Sequence, residues 1–183
     1  RNFNFTLAPV QIIDGAGGAP DSVTIVYGNS NTLMASVELL QAAASTDTFF
    51  VVANAFGFAP GDVIIAGEAG RSCGMATVSS VAASNVNHAA GNYTDANGAT
   101  RVARYNAGGG IGVAYNVWDI ALQTGGRLFD LGPSPVVLTY SVQNSQLIAQ
   151  NLLTSGNASV AVDGIVQLQA QYGRDTNGDG AVD

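Results

Sequence analysis

The chain has 183 residues, 47% of them apolar and only 10% charged, with 23 glycines and a single cysteine. A chain of this length buries about 70% of the surface its unfolded form exposes, so one domain over residues 1–183 can hold its core without a disulfide. The net charge is −7, all six basic residues are Arg and there is no lysine. That excludes a P-loop lysine, a Schiff-base lysine and a Ser-Lys dyad, and it leaves no basic face for nucleic acid.

The apolar pattern is short and alternating, broken by Gly, Asn, Pro and Asp, and predicts a mainly β chain of antiparallel strands with little helix. Pro9, followed by polar residues and Gly, rules out a helix of about 20 apolar residues beginning at Phe5. A strand is predicted over residues 22–27. The one candidate helix covers 32–44, where Leu33, Val37, Leu40 and Ala44 fall near one stripe, although Val-Glu-Leu-Leu there also suits a strand. Strands follow over 48–53, 62–66 and 76–81. The polar stretch 83–99 reads as a surface loop carrying a solvated His88.

A strand is then predicted over 100–105, and the apolar run 111–122, with Trp118 inside it, reads as one bent strand or two. Residues 136–142 and 146–152 flank Gln143-Asn144-Ser145, a polar turn between apolar arms, which is a hairpin signal. The cleanest period is Val166, Leu168, Ala170 and Tyr172 alternating with Gln167, Gln169 and Gln171. It predicts a half-buried strand with its amide face toward water.

Few residue patterns carry chemistry. Gly70-Arg71-Ser72-Cys73-Gly74 spells the G-x-S-x-G nucleophile elbow, but that elbow needs an acid and then a His after the serine. The only His is His88, and no Asp or Glu lies between Ser72 and it. A Gly-flanked turn between two strands is the better reading. One His and one Cys cannot complete the usual zinc sets, and Cys73 reads as a small packed side chain. The Asn-x-Ser/Thr triplets at Asn4, Asn92 and Asn157 arise from composition.

The strongest motif closes the chain, Asp175-Thr176-Asn177-Gly178-Asp179-Gly180-Ala181-Val182-Asp183. It follows the calcium-loop pattern, with side-chain oxygens of Asp175, Asn177 and Asp179 at positions 1, 3 and 5, the Ala181 carbonyl at 7 and Asp183 at 9. Hard oxygen donors at alternate positions let a loop wrap Ca²⁺. The same residues also suit a bare Asn-Gly and Asp-Gly turn that needs no metal, and both readings stand.

Several segments together resemble the PilW-type minor pilins of type IV pili, which are related to GspJ-type pseudopilins. The segment from Asp163 through Gly164-Ile165-Val166-Gln167-Leu168-Gln169-Ala170-Gln171-Tyr172-Gly173-Arg174 to Asp175, with the acidic Gly-rich loop after it, is similar to that family's C-terminal signature. Pro20-Asp21-Ser22-Val23-Thr24-Ile25-Val26-Tyr27-Gly28 resembles its first strand after the helix. Phe58-Ala59-Pro60-Gly61-Asp62-Val63-Ile64-Ile65 resembles a later strand, and Leu138-Thr139-Tyr140-Ser141-Val142 with Leu147 resembles the hairpin near its end.

The resemblance implies an α+β pilin-like full-length protein, whose apolar N-terminal helix lies upstream of this chain and whose antiparallel β-sheet head is the part seen here. It implies a bacterial envelope location, anchored in the inner membrane with a periplasmic head and then displayed in an extracellular pilus. Such proteins are not enzymes. They take part in priming pilus assembly and in the tip complex, with other minor pilins, the major pilin and a tip adhesin as partners, and the Ca²⁺-type loop would be a structural brace. The competing reading is a secreted β-sandwich adhesion or carbohydrate-binding module using Trp118, Tyr93 or Tyr115 as platforms.

Overall fold

The computed structural model describes residues 6–32, 35–154, 158–173 and 176–177. The chain is mainly β, as its alternating pattern predicts. In order the strands are β1 Val10–Ile13, β2 Ser22–Tyr27, β3 Val37–Glu38, β4 Phe49–Val51, β5 Val63–Gly67, β6 Gly74–Thr77 and β7 Ser80–Ala82. There follow β8 Asn85–Asn87, β9 Asn92–Thr94, β10 Thr100–Val102, β11 Arg127–Asp130, β12 Val136–Gln143, β13 Gln146–Asn151 and β14 Ser159–Asp163. A three-residue 3-10 turn at Ala16–Gly18 is the only helical element among the described residues. Contacts cluster into two compact units, Arg1–Tyr27 with Val136–Asp183, and Gly28–Pro135.

The first unit is one antiparallel sheet in the order β1-β2-β12-β13-β14. The β12–β13 hairpin closes through Gln143↔Gln146 with two residues between, and Asn144 (φ 51°) and Ser145 (φ 59°) both adopt left-handed backbone. A two-residue turn with both central residues left-handed matches the twist of the flanking strands, and Asn at its first position accepts that conformation readily. Alternation along β2 then sorts the faces. Ile25 lies between Val10 and Leu138, and Val23 between Ile12 and Tyr140, while on the other face Val26 is buried beside Val137. There Thr24 and Thr139 share a hydrogen bond of 2.9 Å between their hydroxyls.

The second unit holds sheets β3-β11-β5-β6 and β4-β8-β7 and the pair β10-β9. Its core is built on Leu39, Phe50, Ile64, Val86, Tyr115 and Leu128, all essentially inaccessible. Burial of side chains this size contributes roughly 1.5–3 kcal/mol each. Val63, Ile64, Ile65 and Ala66 of β5 are all buried, as befits a strand between β11 and β6.

Several expectations need correction. Residues 37–44 form β3 and isolated bridges at Leu39 and Ala43 rather than a helix, because Leu39 and Val37 pack inward as strand residues against the core. The rest of the proposed stripe, Leu33, lies outside the described residues. The run 111–122 is not a strand. It is irregular chain tied down by bridges at Tyr115 and Asp119, with Ile120 and Leu122 exposed on a turn whose N–H groups at Ala121 and Leu122 both bond Asp119 Oδ1. The polar stretch 83–99 contains β8 and β9 and buries Val86 and His88, so it is no simple surface loop. The run 166–172 forms no strand and joins no ladder, and its Val166 and Tyr172 are exposed.

Candidate functional site

The segment that ends in the calcium-type motif is fastened to the first unit by an unusual set of contacts. The loop between β1 and β2 turns through the 3-10 turn and ends at Asp21, which is 2% exposed. The Asp21 N–H donates to the Leu168 carbonyl (2.8 Å), and Asp21 Oδ2 accepts from the Ala170 N–H (2.7 Å). Asp21 Oδ1 accepts from the Gly15 N–H (2.9 Å), which closes the loop on itself. The Gly15 and Ala170 N–H groups hold the Asp21 carboxyl below the usual carboxylate range.

Side chains complete the attachment. Gln167 Nε2 donates to the Gly18 carbonyl (3.0 Å) and Gln169 Nε2 to the Ala19 carbonyl (3.1 Å). Two of the three glutamines thus face loop carbonyls that no ladder uses, not water alone, which is why the alternation misread their role. The Tyr172 hydroxyl accepts from the Ile12 N–H (2.7 Å) and donates to the Val10 carbonyl (3.4 Å), both on the outer edge of β1. Beside the segment opens a pocket of about 460 Å³ lined by Ile12, Asp14, Asp21 and residues 169–172.

Of the proposed calcium donors, only Asn177 is described, and it is exposed. Asp175, Asp179, Ala181 and Asp183 lie outside the described residues. Among the described residues no three His, Cys, Asp or Glu side chains gather in one place. What the structure contributes is the anchor: the chain enters that motif from a segment clamped at Asp21.

Residues 70–73 lie in the connection of the antiparallel β5–β6 hairpin and Gly74 opens β6, with Gly70 in left-handed backbone (φ 78°). The Ser72 carbonyl accepts a hydrogen bond from the Tyr115 hydroxyl (3.0 Å). This is the Gly-flanked turn that the sequence favours, since the elbow requires a strand-to-helix turn over a parallel sheet. Cys73 is exposed rather than packed, and partial burial of its sulfur pushes the thiol up from its ordinary range. That lowers its thiolate fraction.

The aromatic side chains are poorly placed as platforms. Tyr115 is buried in the core, Tyr93 is half-buried, and Arg127 sits over the Trp118 ring at 4.4 Å while its Nη2 bonds Glu38 Oε1 (2.6 Å). A guanidinium over the indole occupies one of its two faces.

Besides Asp21, two more buried titratable groups escaped the sequence reading. His88 is 2% exposed, its ring centroid 4.7 Å from that of Phe50, and its Nε2 finds no hydrogen-bond partner among the described residues. Burial pushes its imidazole down to about 4, against the pull of the Asp47 charge. Asp62 is 7% exposed, and burial pushes its carboxyl up to about 6. The Ala59 N–H, at 2.7 Å, opposes that rise and the charge of Asp130 adds to it. No local pattern signals either group, because what desolvates them is packing from distant strands.

No helix among the described residues is long and apolar enough to cross a membrane. Compared with known proteins, the chain matches no family model, no curated protein and no solved structure.

Proposed function

We propose that this chain is the globular head of a non-enzymatic minor pilin, taking part in assembly of a type IV pilus and in its tip complex. The observation that supports this reading is where the resembling segments meet. The pilin-like strand 22–27 pairs directly with the pilin-like hairpin through Ile25↔Leu138 and Val23↔Tyr140. The C-terminal signature is clamped by Asp21 onto the loop that precedes that same strand. Three of the four segments that carry the resemblance therefore fall in one structural unit, which supports the reading.

In this reading the head presents polar, weakly charged surfaces to other minor pilins, the major pilin and a tip adhesin. Such contacts are weak singly and gain strength from repetition in a filament. The motif from Asp175 to Asp183 would brace the C-terminus by holding Ca²⁺ through oxygens of Asp175, Asn177, Asp179, Ala181 and Asp183.

The test is the intact mass and N-terminal sequence of the native protein, with fractionation of sheared surface filaments. The expected result is extra mass carrying a processed Phe start and an apolar helix, in a chain that copurifies with filaments. A native chain that begins near Arg1 and is recovered only as a free secreted protein would overturn the proposal.

A further inference from the structure

The clamp on residues 167–172 has the form of a peptide-recognition site. Asp21 grips the main chain twice, at the Leu168 carbonyl and the Ala170 N–H, as an adjacent strand would. Tyr172 occupies the Val10 carbonyl and the Ile12 N–H, the outward groups of an edge strand that a further strand would otherwise use. The pocket beside it is lined by Ile12, Asp14 and Asp21 together with residues 169–172, so the segment itself forms one wall of that pocket. The hold is mostly polar and joins no ladder, and Val166 and Tyr172 stay exposed, which places this segment among those that open at low cost.

We propose that the outer edge of β1 and the loop 14–21 form a binding site for an extended peptide, occupied in cis by residues 167–172 and open to the same segment of a second copy. The occupant follows from the contacts. A second copy carries the identical sequence, so every hydrogen bond of the clamp is remade on exchange. Residues 165–173 contain no charged side chain, so their approach to a chain of net charge −7 meets no like-charge opposition from the segment itself. This inference stands on the clamp alone and does not need the pilus reading.

The test uses the full chain and a labelled synthetic peptide of residues 165–173. Ala170→Pro removes the N–H that Asp21 holds and frees the groove, whereas Asp21→Ala removes the grip and leaves the segment intact. A tethered segment competes at an effective concentration of about 1 mM, so the peptide is expected to bind Ala170→Pro at least about tenfold more tightly than the unaltered chain. It should bind Asp21→Ala at least about tenfold more weakly than Ala170→Pro. Mixed together, the two variants should form a heterodimer in sedimentation velocity that neither forms alone. Circular dichroism checks that strand content is kept, and if Ala170→Pro loses it, the double variant Gln169→Ala/Tyr172→Ala, at two exposed positions, serves in its place. Equal peptide affinity for all three proteins, or no heterodimer on mixing folded variants, overturns the proposal.

Discussion

Asp62 and His88 set opposing pH dependences inside one unit, and replacing Asp62 separates them. Folding raises the Asp62 carboxyl from 3.8 to about 6. Its contribution is therefore fully favourable below pH 3.8 and is lost as pH rises through 6; at about 1.4 kcal/mol per pH unit the difference is about 3 kcal/mol. Folding lowers His88 from 6.5 to about 4, so its contribution is present above pH 6.5 and is lost as pH falls through 4, again about 3 kcal/mol. Over pH 7 to 4 these two contributions nearly cancel, so the acid loss of the native chain is left to carboxylates held low, such as Asp21.

Asp62→Asn keeps an oxygen for the Ala59 N–H but removes the titration. At pH 7 it relieves a net penalty of about 3 kcal/mol, since the opposing hydrogen bond from the Ala59 N–H is already contained in the shift to about 6. Below pH 6.5 it should then lose stability more steeply than the native chain, because the His88 penalty is no longer offset. His88→Leu should do the opposite and gain stability relative to the native chain on acidification, and the double variant should run parallel to the native chain. Urea unfolding at pH 7, 5.5 and 4 measures all four proteins. Parallel stability curves for the native chain and Asp62→Asn would refute the reasoning.

Other substitutions probe separate contacts. Tyr172→Phe removes the hydroxyl on Ile12 and Val10, and the Ile12 amide should exchange with deuterium about fivefold faster, while unchanged exchange would mean the contact is not made in solution. Gly132→Ala should cost about 3 kcal/mol in a thermal melt, because Gly132 is left-handed (φ 74°) and an added Cβ would collide with the Ser30 backbone nitrogen. Ca²⁺ should raise the melting temperature of a chain extended past Asp183, since a ligand that binds only the folded state stabilises it, and Asp175→Ala with Asp179→Ala should abolish the shift. A calcium-independent melt would leave the bare turn.

The residue order alone determined the class of this fold and its best-defined strands. Val23 and Ile25 alternate with Thr24 and Val26, and Asn144-Ser145 separates two apolar arms, because a period of two and a two-residue turn are local properties that the backbone reads without distant help. The turn at Ser72 was legible for the same reason. Tertiary structure decided the rest. Residues 37–44 satisfy a helical stripe as well as a strand, and only the partners β11, Val52 and Tyr115 chose between them. β11 is four residues long with a charge at each end, and it becomes a sheet interior only because β3 and β5 flank it. His88 and Asp62 look like ordinary surface polar residues until strands far apart in sequence remove their water. Gln167 and Gln169 show the limit most plainly: alternation placed them on one face, but whether they met water or the carbonyls of Gly18 and Ala19 depended on a loop about 150 positions earlier.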